Sequence, residues 1–222
     1  MSAVLLDIEG TVSDKRFVSE TLFPFARKRI KAFVRDHARD GEVATALSLM
    51  RAKMGRANAS VEEIGAELER WIDQDRKEEP LKSLQGLIWK EGYDSGELVS
   101  HIYVDVPPAI ERWRAAGKRV AIFSSGSIGA QKLLFSHTAL GDLTPSLSAY
   151  FDLSSGPKFE AASYAKIAKA LDHPPTDIHF YSDVPREVEA ALGAGMMATL
   201  VERDEPTAAP ASIRRIQDFT GE

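Results

Sequence analysis

The chain has 222 residues, with 33 acidic against 28 basic side chains, a net charge of −5 and no cysteine. That length suits one large domain, or a core domain carrying an insert. The missing cysteines exclude disulfides and thiolate metal centres, the acidic balance argues against nucleic acid as a partner, and no apolar run approaches the roughly 20 residues of a membrane span.

In chain order, Ala3 to Ile8 reads as a short, buried, apolar strand. A helical stretch follows: Glu20 to Asp36 spaces Leu22, Phe25, Ile30, Phe33 and Val34 at helical intervals. Val43 to Met54 and Val61 to Ile72 repeat the pattern, the latter opened by Ser60 and Glu63 as a capping box. Pro80 to Tyr93 is a further helix, and no strand is expected between about Phe17 and Val99. Beyond it the pattern changes. Pro107 to Ala116 is helical and stops at Gly117. "RVAIFSSGS" is a strand running into a Ser/Gly turn, and Ile128 to His137 is helical. "YFDLSSG" is a short strand and loop, and Ala161 to Leu171 a helix. "DIHFYSD" is a strand, Pro185 to Ala194 a helix and "MMATLVE" a strand. "DEPTAAPAS" reads as a surface loop, and Ser212 to Phe219 closes the chain. Strands alternating with helices predict parallel βαβ units, hence an α/β, Rossmann-like parallel sheet with a helical segment inserted after its first strand.

Ligands of an open α/β sheet bind beyond the carboxyl ends of its strands. The first strand ends in Asp7, Glu9, Gly10 and Thr11, the second in Ser124, Ser125, Gly126 and Ser127. Gly156, Pro157 and Lys158 precede a later helix, and another strand ends in Ser182 and Asp183, with Glu187 following. Each cluster has a plain alternative. Asp7 and Glu9 are either strand-end acids facing solvent or groups over a site. The Ser/Gly turn is a loop or helix cap, Lys158 a surface lysine, and Asp183 a cap for the helix at Pro185. Together they suit phosphoryl transfer: a carboxylate nucleophile, hard oxygen ligands for Mg²⁺, hydroxyls and N–H groups for phosphate oxygens, and a lysine to neutralise them. The five histidines show no ligand spacing.

"DIEGT", "FSSGS", "GPK" and "YSDVPRE", in that order, resemble the four signatures of the haloacid-dehalogenase-like hydrolases. The likeness covers nearly the whole chain. It is greatest to a branch of that family that both enolises and dephosphorylates a phosphorylated diketone, with Glu9 the most specific item. The resemblance implies a core domain of residues 1–14 and 100–222 and a helical cap of residues 15–99 that closes over the site. It implies Asp7 as nucleophile and Mg²⁺ ligand, Glu9 beside it as acid/base and further metal ligand, and Asp183 as the remaining ligand. Ser124 and Ser125 would bind substrate phosphate and Lys158 would neutralise it. Glu187 would reach the metal through water or brace Lys158. The expected substrate is a small phosphorylated diketone, with no nucleic-acid or membrane partner. No secretory leader is visible, and a cytoplasmic monomer is expected.

Overall fold

The computed structural model describes residues 2–204 and 206–222. Strand β1, Ala3–Leu6, is apolar and buried along its length, as a parallel strand covered on both faces must be. Its partners are β2, Arg119–Phe123, and β4, Ile178–Ser182. With β3 (Ala149–Phe151), β5 (Met197–Val201) and β6 (Arg214–Ile216) they form one sheet in the order β3-β2-β1-β4-β5-β6, and every pairing is parallel. Helices α1 to α4 are Phe23–Asp36, Gly41–Met54, Val61–Asp73 and Glu79–Asp94. Helices α5 to α8 are Val106–Ala115, Ile128–Ser136, Ala161–Leu171 and Pro185–Gly193. None of the described helices is long and apolar enough to cross a membrane.

The chain divides into two units. Residues Met1–Lys15 and Val99–Glu222 form the sheet unit, and Arg16–Leu98 the helical one. The sheet's core joins Leu5, Phe123 and Phe180 to Tyr164, Ile167 and Leu171 of α7 and Val188 of α8. The helical unit has its own core, built from Ile30, Val34, Leu47, Met50, Leu68, Trp71, Leu84 and Ile88. Its helix α3 opens on the expected capping box. Ser60 Oγ accepts from the Glu63 N–H at 3.2 Å, and Glu63 Oε2 accepts from the Ser60 N–H at 2.8 Å.

Three details differ from the sequence reading. The helix expected from Glu20 starts at Phe23, because Pro24 supplies no N–H and sits in the first turn. Before it, Phe17–Leu22 form a wider π-helical turn. A sixth strand, Arg214–Ile216, pairs with β5 at the sheet edge. It is only three residues long, two of them exposed arginines, which hides it from periodicity and suits an edge strand. In the loop after β5, Glu205 lies outside the described residues; 206–210 have no regular structure.

Candidate active site

The sheet's topology decides where the acids fall. Strands β2 and β3 lie on one side of β1, and β4 to β6 on the other. The strand order therefore reverses at β1, which is where an open α/β sheet binds its ligand. The register pairs Leu6 with Ile122 and with Tyr181. One residue further, the Asp7 N–H still donates to the Tyr181 carbonyl at 3.0 Å. Asp7 is thus fixed at the sheet's carboxyl edge between the ends of β2 and β4, with only 4% of its surface exposed.

Lys158 meets it from the loop before α7. That loop is held from beneath: the Tyr164 hydroxyl donates to the Lys158 carbonyl at 2.6 Å, and the Ser163 hydroxyl to the Pro157 carbonyl at 2.7 Å. Lys158 is buried and not a surface lysine. Its ammonium pairs with Asp7 Oδ1 and, at 2.6 Å, with Glu187 Oε2. Burial works against that charge, but the carboxylates of Asp7 and Glu187 outweigh it and hold the Lys158 pKa above the ordinary lysine value. Glu187, in the first turn of α8, also accepts from the Ser182 hydroxyl at 2.9 Å. Burial and then the charge of Asp7 push its carboxyl up to about 7, against the pull of Lys158. Of the two roles open to Glu187, the contact made is with Lys158.

Asp183 does not cap α8, whose cap residue is Val184, with its N–H donating to the Ser182 hydroxyl at 3.1 Å. The Asp183 N–H donates to Thr11 Oγ1 at 2.9 Å, and the same hydroxyl donates to Asp7 Oδ2 at 3.3 Å. A single buried threonine therefore ties the two acids together. Asp183 Oδ2 accepts from Lys15 at 3.0 Å, while Oδ1 is buried without a partner. Burial, then the nearby Asp7 charge, raises the Asp183 pKa. Gly10 makes room for this carboxyl. It sits at φ +75°, and a Cβ there would collide with the Asp183 side chain. Gly10→Ala is therefore expected to cost about 1–2 kcal/mol for the left-handed backbone alone and to lower kcat by at least about tenfold through displacement of Asp183. A thermal melt paired with a turnover assay checks both.

Ser124 lies at the end of β2. It is buried, and its hydroxyl accepts from the Gly126 N–H at 3.1 Å. Ser125 and Ser127 are exposed, and Ser127 caps α6 by accepting from the Ala130 N–H at 3.2 Å. Buried Gln131 braces the turn, donating to the Gly126 carbonyl at 2.8 Å and the Phe151 carbonyl at 2.9 Å. The structure thus joins Asp7, Lys158, Glu187 and Asp183 directly or through Thr11, with the Ser124 turn at the neighbouring strand end. Glu9 lies in the turn after β1 and is exposed. Among the described residues, no three acids or imidazoles stand together as a metal-ligand set. The sequence reading did not single out Lys15 or Gln131. Only the fold reveals their partners.

The family model for haloacid dehalogenase-like hydrolases matches residues 1–195. The chain belongs to that family. Among haloacid dehalogenase-like hydrolases it is similar to the Enolase-phosphatase E1 of Azotobacter vinelandii, at 48% identity over 202 residues covering 91% of this chain and 89% of that one. The protein of the same name from Sorangium cellulosum is 50% identical over 196 residues, covering 87% and 84%. Among solved structures, the UTR4 protein of Saccharomyces cerevisiae superposes with a TM-score of 0.86 at 34% identity, covering 100% of this chain and 99% of that one. A phosphatase of this family from Thermococcus onnurineus shares the fold, with a TM-score of 0.63 at 18% identity over 99% and 94% of the two chains.

Proposed function

We propose that this protein is an enolase-phosphatase acting on 2,3-diketo-5-methylthiopentyl-1-phosphate in methionine salvage. It would enolise the substrate and then release phosphate and the acireductone 1,2-dihydroxy-3-keto-5-methylthiopentene. The observation that best supports this chemistry is a buried carboxylate, Asp7, gripped by a buried lysine where the strand order reverses. It is joined by identity near one half to proteins named for the activity.

In this reading Asp7 attacks phosphorus and forms an acyl phosphate as the substrate oxygen departs, and water then hydrolyses that acyl phosphate, releasing phosphate and restoring the carboxylate. Thr11 orients its carboxylate. Lys158, held by Glu187, presents its charge to the transferring phosphoryl group. Ser124, Ser125 and the N–H groups of the turn before α6 receive the phosphate oxygens. Glu9, exposed in the turn, takes the proton from the carbon that bears the phosphate. Because enolisation comes first, the departing oxygen belongs to a conjugated enol, which leaves more readily than an alkoxide and needs less help from an acid.

A divalent cation fits Asp7 and Asp183. Both are hard oxygen donors, the Asp183 Oδ1 is buried and partnerless, and the charge of Asp7 bears on Asp183. We assign Mg²⁺ to these two acids, with Glu9 in the turn after β1 as a third ligand. When bound, such a cation offsets repulsion between the anionic nucleophile and the anionic phosphate.

The test supplies the diketo phosphate with and without Mg²⁺, following enol formation by absorbance and phosphate release separately. The expected result is an enol signal that precedes phosphate, with phosphate release lost when a chelator removes the cation. Phosphate release with no enol would instead indicate a general phosphatase for small phosphate esters. Mg²⁺ alone is also expected to raise the melting temperature, and less so in Asp183→Asn.

A further inference from the structure

Arg203 follows β5 and takes no part in the chemistry above. It is nonetheless buried, its side chain only 7% exposed. Its guanidinium pairs with both carboxylate oxygens of Asp105 at 2.9 Å and lies 4.2 Å from the ring centre of Tyr103 and 5.0 Å from that of Phe219. Asp105 also accepts from the Phe219 N–H at 2.8 Å. A buried, charge-paired arginine walled by two aromatic rings has one fixed orientation. That orientation directs its Nε–H to the Thr11 carbonyl at 2.9 Å. The Tyr103 N–H holds the next carbonyl, that of Val12, at 3.0 Å.

We infer that Arg203 is a positioning residue for the nucleophile, acting through Thr11. The Thr11 hydroxyl spans Asp7 Oδ2 and the Asp183 N–H, so whatever fixes the Thr11 backbone fixes the spacing of the two acids. Lysine cannot take over this role. It can keep the charge opposite Asp105, but it has one nitrogen, whereas Arg203 sets Nη1 on both Asp105 oxygens and Nε on the Thr11 carbonyl at the same time. A misplacement on the order of 1 Å in a nucleophile is enough to cost about a hundredfold in rate.

This inference rests on the proposed function only for its kinetic readout. Arg203→Lys, assayed well below its melting temperature, is expected to lower kcat at least about tenfold while KM stays within about threefold. In Arg203→Ala, added guanidinium is expected to restore part of kcat, which a general loss of stability would not allow. The second readout needs no substrate. The N–H groups of Thr11, Val12 and Ser13 all donate to the Ile8 carbonyl, at 3.2, 3.0 and 2.9 Å, and their hydrogen exchange is expected to accelerate in Arg203→Lys with the sheet amides unchanged. Wild-type kcat in Arg203→Lys, or unchanged exchange at these three amides, overturns the inference. If the wild-type protein does not turn over the diketo phosphate, the functional reading fails and the exchange experiment alone decides the role of Arg203.

Discussion

Asp7→Asn is expected to reduce phosphate release at least about a thousandfold while leaving the fold intact. An amide cannot attack phosphorus, and no other carboxylate is held against Lys158 at the end of β1. The expectation for stability follows from the charges. Lys158 faces two acids, Asp7 and Glu187, and the charge of Asp7 disfavours ionisation of both Glu187 and Asp183. Replacing Asp7 by a neutral isostere leaves a one-to-one pair of Lys158 with Glu187. The urea midpoint should therefore change by no more than about 1 kcal/mol in stability. Normal phosphate release from this variant would sink the mechanism. A large loss of stability would show that the Asp7 to Lys158 pair holds the sheet edge together.

Lys158→Met should behave in the opposite way. It removes the cation between two buried acids, and breaking a buried pair by deleting one member costs about 3–5 kcal/mol. Activity should fall as well, because nothing else in the cluster presents positive charge to the phosphate from that side. Two effects in one variant are separable with a second. Lys158→Met combined with Glu187→Gln takes away one of the orphaned charges, so its melting temperature should recover most of the loss. Its turnover should not recover, because the cation is still missing. Rates that return along with stability would assign Lys158 a scaffolding role only.

The parallel sheet was legible because its strands are short apolar runs that end in polar clusters, and four such ends lined up acids, hydroxyls and a lysine. The capping box at Ser60 was legible for a similar reason, since a local bond pattern leaves a local sequence mark. Strand β6 left no such mark. Three residues with two exposed arginines have no periodicity, and their pairing with β5 is set by tertiary position. The same holds in the site. Lys158 taken alone reads as a surface lysine; beside the other clusters it points to the site, but the bonds from Tyr164 and Ser163 that hold its loop leave no sequence mark. The Arg203 network was invisible because Thr11, Asp105, Arg203 and Phe219 meet only through the fold. Glu9 drew notice by its spacing from Asp7, and it lies in the exposed turn that follows β1.

The central place of β1 also bears on how the protein reaches its native state. The strand that carries Asp7 finds its partners only at Arg119 and Ile178, so both of its pairings close very long stretches of chain. Such distant contacts are entropically late, and they slow folding relative to local helical structure. Helices α1 to α4 draw on near neighbours and their own core, and can form early. The strand that carries Asp7 is then among the last to be secured on both sides. Until β4 docks, Asp7 lacks the Tyr181 carbonyl that fixes its backbone and the neighbours that bury it, so hydrolytic competence arrives only with the closing steps of folding.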